Sequence, residues 1–206
     1  MLSSKSVIDA MSAIGSRRAV FYSEHDFQAT LACQLQNSCK DSLVIVEYPG
    51  VVLDETQDIS LDIVVATPAN EPHTYDHYLI ELKYRFKALR GLRQEQNPLF
   101  ELIDQGGCQN QKRAFLEKDL RRIEQLYNYG KCYGGCAIFL TNDERYFTPT
   151  SNPGEFSLEP DEAQFVNILH DDAKWVRAGL RHDHLGMKWR EYGNAGFRYL
   201  LIEVNI

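Results

Sequence analysis

The chain has 206 residues, of which 44% are apolar, 25% charged and 11% aromatic, and its formal net charge is −7. This composition excludes a disordered, collagen-like or low-complexity protein and predicts one globular domain over residues 1–206. No apolar run approaches the roughly 18 residues of a membrane span, and residues 1–16 lack a basic leader followed by an apolar core, so the expected location is the cytoplasm.

Residues 1–22 read as a short, weakly amphipathic lead-in. Ser23 reads as a helix N-cap, with Asp26 three residues on as an acidic variant of the capping box. Phe27, Leu31 and Leu35 follow at helical spacing and predict a helix over 24–36. Residues 43–48, Leu-Val-Ile-Val-Glu-Tyr, predict a strand stopped by Pro49-Gly50. Residues 61–66 predict a second strand and 78–86 a third, joined by a loop holding Pro68, Asn70 and Pro72.

A symmetric hairpin about that loop sets Val65 opposite Tyr78 and Asp62 opposite Glu81. Leu61, Ile63 and Val65 then share one face with Ile80, Leu82 and Tyr84. Asp62 shares the other with Leu79, Glu81 and Lys83.

Residues 88–110 are polar and glycine-punctuated, with partial helix expected. A better helix covers 111–129, with Leu116, Leu120, Ile123 and Tyr127 on one stripe and glycines ending it. Residues 136–140 predict a fourth strand, 148–160 a loop, 161–178 a helix opened by Pro160 and stopped by Gly179, and 197–204 a final strand. The fold class expected is α/β, a central mixed β-sheet flanked by helices. Its core would cover about 23–141 plus the last strand, with 145–195 an insertion or a peripheral region.

Charge is unevenly distributed. Across residues 82–122, ten basic and five acidic residues leave +5, so the remainder sums to −12. The net charge opposes wrapping nucleic acid by bulk electrostatics but is compatible with a local basic groove. The five cysteines are Cys33, Cys39, Cys108, Cys132 and Cys136. With no secretory leader they read as reduced thiols. Cys132-x-x-x-Cys136 with Cys108 has loose spacing and no second C-x-x-C, so ordinary thiols are expected rather than a zinc site.

Asp62, Glu81 and Lys83 carry the chemical signal, with Glu24 upstream. Two carboxylates facing each other on one sheet surface repel unless a cation lies between them. A hard divalent ion such as Mg²⁺ takes oxygen ligands and keeps waters and substrate phosphates in its shell. Glu81 and Lys83 are two apart on a strand, so both project to the same side, where the lysine can stabilise charge that grows during phosphodiester attack. Without a metal, the same three residues read as a cross-strand salt cluster on a solvated face. Glu24 also suits the first turn of a helix through the macrodipole alone.

In Asp62 of Leu-Asp-Ile-Val-Val and Glu81-Leu-Lys83 of Leu-Ile-Glu-Leu-Lys-Tyr-Arg, the chain resembles the PD-(D/E)xK nuclease superfamily, which has the restriction-endonuclease-like core. Leu61 stands where the family motif has proline. Glu24 matches the accessory helical glutamate of many members. The resemblance implies that Asp62 and Glu81 bind Mg²⁺ or Mn²⁺, that Lys83 assists hydrolysis, and that Glu24 supports the metal. It also implies phosphodiester cleavage of DNA, endo- or exonucleolytic, and a possible homodimer or partner subunit. Gln125-Leu-Tyr-Asn-Tyr129 has the Q-x-x-x-Y pattern of some RecB-like members, although here Tyr127 and Tyr129 can equally pack.

Lys112, Arg113, Lys118, Arg121 and Arg122 could line a nucleic-acid groove or form the solvated face of a helix. His182-Asp-His184 lacks a third ligand and reads as loop, and Trp189 reads as a buried ring between Lys188 and Arg190. No phosphate-binding G-x-x-x-x-G-K-[ST] loop and no G-x-S-x-G elbow occurs. The expected function is therefore a divalent-metal-dependent nuclease. The rival is a non-catalytic nucleic-acid- or protein-binding module on the same scaffold.

Overall fold

The computed structural model describes residues 1–52, 58–71, 73–87, 109–147 and 189–204. Helices α1 (Ser4–Gly15) and α2 (Glu24–Ser38) precede strands β1 (Leu43–Val52), β2 (Asp58–Pro68) and β3 (Tyr75–Arg85). Helix α3 (Gln109–Asn128) leads to β4 (Gly134–Thr141), a 3₁₀ turn at Glu144–Tyr146, β5 (Trp189–Tyr192) and β6 (Phe197–Val204). The strands form one sheet in the order β1-β2-β3-β4-β6-β5. Only β3 and β4 are parallel; the other neighbours are antiparallel. The protein is thus α/β, with a mixed six-stranded sheet.

The lead-in is more ordered than its sequence suggests. Ser3 caps α1 by accepting from the Ser6 N–H, and Val7, Ala10, Met11 and Ile14 are buried at helical spacing. That stripe packs α1 against α2 and the sheet. At α2 the Ser23 hydroxyl accepts from the Asp26 N–H at 3.1 Å, as expected. The Asp26 carboxylate does not complete the box on Ser23. It accepts from the Tyr22 N–H at 2.8 Å and pairs with Arg18.

β1 does not stop at Pro49-Gly50. It resumes pairing with β2 at Val51↔Ile59, and the register shifts between Tyr48 and Val51. Proline has no N–H to give a ladder, and an edge strand absorbs that loss as an irregularity. The hairpin register is the one its symmetry predicts as far as the ladder runs, with Val65 opposite Tyr78 and Ile63 opposite Ile80, but the expected Asp62–Glu81 pair falls one step beyond its end and is not made.

Two cores flank the sheet. On one face α1 and α2 cover Ile63, Val65, Ile80, Leu82, Tyr84 and Ile138. On the other, Leu116, Leu120, Ile123 and Leu126 of α3 cover Val64, Leu79, Ala137 and Phe139. Leu61 belongs to this second core, not with Ile63 and Val65 as alternation predicts. The pleat breaks beside it. Glu47, which lies across from Asp62 on β1, takes φ +49°, in the left-handed region.

α3 ends in a Schellman turn. The Lys131 N–H donates to Leu126 O and the Gly130 N–H to Tyr127 O, both at 2.8 Å, with Gly130 at φ +64°. β5 extends the sheet beyond β6 as its edge strand, and of its residues Tyr192 is buried in the core under α1 and α2. Trp189 is half-buried and meets Phe139 edge-on at 6.0 Å. The expected helix at 161–178 and the histidines 182 and 184 lie outside the described residues. Among the described residues, no helix is long and apolar enough to cross a membrane.

Candidate active site

The site lies where β2 and β3 part. Their ladder runs from Pro68↔Tyr75 to Ile63↔Ile80, while β2 stays paired with β1 to Asp58. Beyond Ile80 the β3 amides facing β2 have lost their ladder partners. Asp62 Oδ2 accepts from the Leu82 N–H at 2.6 Å, and Glu24 Oε2 accepts from the Tyr84 N–H at 2.8 Å. Two carboxylates, one from β2 and one from the first turn of α2, thus replace strand carbonyls along the freed edge. The other edge of β3 remains paired with β4 as far as Arg85↔Thr141, which holds Glu81 and Lys83 in extended backbone.

Glu81 and Lys83 meet α3. Glu81 is 1% exposed, and its Oε1 accepts from Arg122 Nη1 at 2.8 Å. Arg122 Nη1 also reaches the Ser60 carbonyl at 3.2 Å. Lys83 Nζ pairs with Asp119 Oδ2 at 3.0 Å and donates to the Leu82 carbonyl at 2.8 Å. Asp119 and Arg122 are themselves 3.9 Å apart, one helical turn along α3. Two acids and two bases therefore form a continuous buried network.

Its electrostatics follow from that burial. Desolvation, with Asp119 and Asp62 close by, pushes the Glu81 carboxyl up to about 8 in spite of Arg122. Burial alone would lower the Lys83 ammonium, but Asp119, Glu24 and Asp62 outweigh it and raise the group. Lys83 is thus a cation at neutral pH, suited to stabilising negative charge rather than to accepting a proton. Burial raises the Asp119 carboxyl against the pull of Lys83.

Three participants escaped the sequence reading. Asp119 sits among Leu116, Leu120 and Ile123, a charge on an apolar stripe. Gln28 is a buried amide beside Phe27 and Leu31 on α2. It donates to the Asp62 carbonyl at 2.7 Å and to Glu47 Oε1 at 2.8 Å, which ties α2 to both strands at the break in the pleat. Glu47 is the third. For Asp119 and Gln28 the available signal was polarity at a buried position on an apolar stripe, whereas Glu47 is exposed and gave no such signal.

Glu24, Asp62, Glu81 and Lys83 thus converge around one stretch of β3. The basic residues do not behave alike. Arg122 turns inward to Glu81 rather than along a surface groove. Lys118 and Gln125 are exposed, and Arg121 is half-buried. The side chains of Lys112 and Arg113 lie outside the described residues. Tyr127 packs partly against the α3 core, and Tyr129 is exposed. Cys132 and Cys136 are buried in opposite cores, so they do not face a common ion, and Cys108 is outside the described residues.

Among the described residues, no group of three or more His, Cys, Asp or Glu side chains is gathered for a metal ion. The reason is visible in the contacts: Asp62 and Glu24 hold β3 amides, while Glu81 is turned to Arg122. Fold and site together define an α/β protein with a carboxylate-lined strand fork backed by a buried ion network. No protein-family model, curated protein or solved structure matches the chain.

Proposed function

We propose that this chain is a divalent-metal-dependent nuclease of the PD-(D/E)xK type, with a restriction-endonuclease-like core, hydrolysing phosphodiester bonds of DNA. The observation that carries this reading is the convergence of Asp62, Glu24, Glu81 and Lys83 at the strand fork. A salt cluster on a solvated face would leave Glu81 exposed, whereas it is buried.

The donor chemistry suits Mg²⁺ or Mn²⁺. Carboxylate oxygens are the ligands hard cations prefer. Asp62 and Glu24 each have one oxygen on a β3 amide and a second oxygen with acceptor capacity. Those two would hold the ion, and Glu81 would join once Arg122 lets it go. With Glu81 ionised, four carboxylates (Glu24, Asp62, Glu81 and Asp119) stand against two cations (Lys83 and Arg122), which leaves two negative charges for a divalent ion to neutralise; with Glu81 protonated, as burial favours at neutral pH, one is left. When bound, the metal polarises the phosphoryl group and lowers the pKa of water. Lys83 supplies positive charge to the phosphate oxygens as the attack proceeds. The β3 amide bonds keep Asp62 and Glu24 oriented without a reorganisation cost at each turnover.

The test is cleavage of plasmid, linear duplex, single-stranded DNA and RNA with Mg²⁺, Mn²⁺ or EDTA, beside Lys83→Ala. Metal-dependent cutting that disappears in the variant supports the reading, and the preferred lane names the substrate. Folded protein that neither cuts nor gains thermal stability from Mn²⁺ would sink it.

A second reading is a non-catalytic binding module on the same scaffold. It is favoured by the fact that Glu81 and Lys83 are already neutralised by Arg122 and Asp119. In that case the net charge of −7 points to a protein partner rather than to nucleic acid.

A further inference from the structure

Lys83 is the residue of the fork with the most freedom to lose. A lysine side chain carries about 2 kcal/mol of rotamer entropy, and its ammonium is useful only if it waits where charge will develop. The Leu82 carbonyl, one residue away on the same strand, draws the ammonium back along β3 at 2.8 Å. The second tether comes from a different element. Asp119 of α3 is 5% exposed at its side chain and lies 3.0 Å from the lysine nitrogen. Its neighbours Leu116, Leu120 and Ile123 are fully packed against the sheet, so the carboxylate has a rigid base. A buried carboxylate on an otherwise apolar stripe costs desolvation energy, and a leucine there would pack at no such cost.

We propose that Asp119 is a positioning residue for Lys83: its carboxylate holds the ammonium at the fork in the orientation used for phosphodiester hydrolysis. This rests on the nuclease reading for its catalytic part, and on geometry alone for its structural part. Arg122, one turn on, anchors Glu81 in the same way, so α3 addresses both residues of the Glu81-x-Lys83 motif.

Two readouts test this on the full chain. The first is the rate of reductive methylation of Lys83 in folded protein, followed by peptide mass spectrometry, with exposed Lys118 as the internal reference. The second is kcat and KM for the preferred DNA substrate with Mn²⁺. Wild type is compared with Asp119→Asn, and with Asp119→Ser should the asparagine variant melt below assay temperature. The expected result is several-fold faster methylation of Lys83 with Lys118 unchanged, and a kcat lowered about 10–100-fold at nearly constant KM, the usual cost of losing a supporting partner. Unchanged Lys83 methylation overturns the proposal whatever the activity. Faster methylation with unchanged kcat overturns the catalytic role. Faster methylation in a protein whose wild type neither cleaves nor gains thermal stability from Mn²⁺ overturns the nuclease reading, and the catalytic role with it, and leaves Asp119 as a plain structural counter-ion.

Discussion

Asp62 Oδ2 accepts the Leu82 amide proton at 2.6 Å, at the first position where β2 no longer pairs with β3. A side chain thus does the work of a strand carbonyl, and the carboxylate is oriented by the backbone it satisfies. Asp62→Asn keeps an acceptor oxygen but loses the charge. Asp62→Ala also strands a buried N–H, which costs about 1–3 kcal/mol. Both variants should abolish the Mn²⁺-dependent rise in melting temperature, and only alanine should lower the melting temperature in EDTA. A Mn²⁺ shift that survives in Asp62→Asn would remove Asp62 from the metal shell.

Glu81 sets a pH dependence of definite sign. Burial holds its carboxyl at about 8 in the folded protein, against 4.5 for the free side chain. Between those values the unfolded chain has released a proton that the folded chain retains, so folding stability falls as pH rises through this window. Metal binding should run the other way, because Glu81 must be ionised to ligate. The Mn²⁺-induced melting shift should therefore grow from pH 6 to pH 9. A shift that is flat over that range would mean Glu81 takes no part.

On the proposed metal reading, Arg122, paired with Glu81 at 2.8 Å, would compete with the ion for that carboxylate. Removing one partner of a buried pair costs up to about 3–5 kcal/mol when the remaining charge stays ionised. Glu81 can take up a proton instead, so Arg122→Gln should destabilise the protein more at pH 9 than at pH 6. With the competing cation gone, the Mn²⁺ concentration for half-maximal stabilisation should fall below that of wild type. Calorimetric titration of both proteins would settle it, and weaker binding by the variant would refute the competition.

Gly135 lies on β4 where Ile123 of α3 packs closely against the sheet. A Cβ there would meet the Leu79 carbonyl oxygen at 2.6 Å and Ile123 Cγ2 at 2.8 Å. Gly135→Ala should cost about 1–3 kcal/mol by overpacking and lower the melting temperature by several degrees. It would also lift α3, and with it Asp119 and Arg122, so Lys83 methylation should accelerate modestly. A variant as stable as wild type would mean that α3 shifts without strain.

Much of the fold was readable because its periods are clean. Alternation in residues 61–66 and 78–86 marked two strands, and the symmetry of their loop placed Val65 opposite Tyr78, as observed. The Leu116, Leu120 and Ile123 stripe marked the buried side of α3. Two elements were missed. The α1 stripe of Val7, Ala10, Met11 and Ile14 is periodic and could have been read as a helix. β5 is too short for alternation to register, and it exists because β6 offers it an edge.

Local pattern by itself determined which residue types could gather: an acid on one strand, Glu81-x-Lys83 on the next, and a glutamate at a helix start. It determined this because strand alternation and hairpin register are properties of neighbouring residues. Only the tertiary structure decided what those groups touch. The departure of β2 from β3 freed the amides that Asp62 and Glu24 cap, and the docking of α3 brought Asp119 to Lys83 and Arg122 to Glu81. These contacts join residues 20 to 60 positions apart, with Arg122 and Glu81 separated by 41. Their energies depend on desolvation, which no single segment sets and the packed sheet and helices impose together.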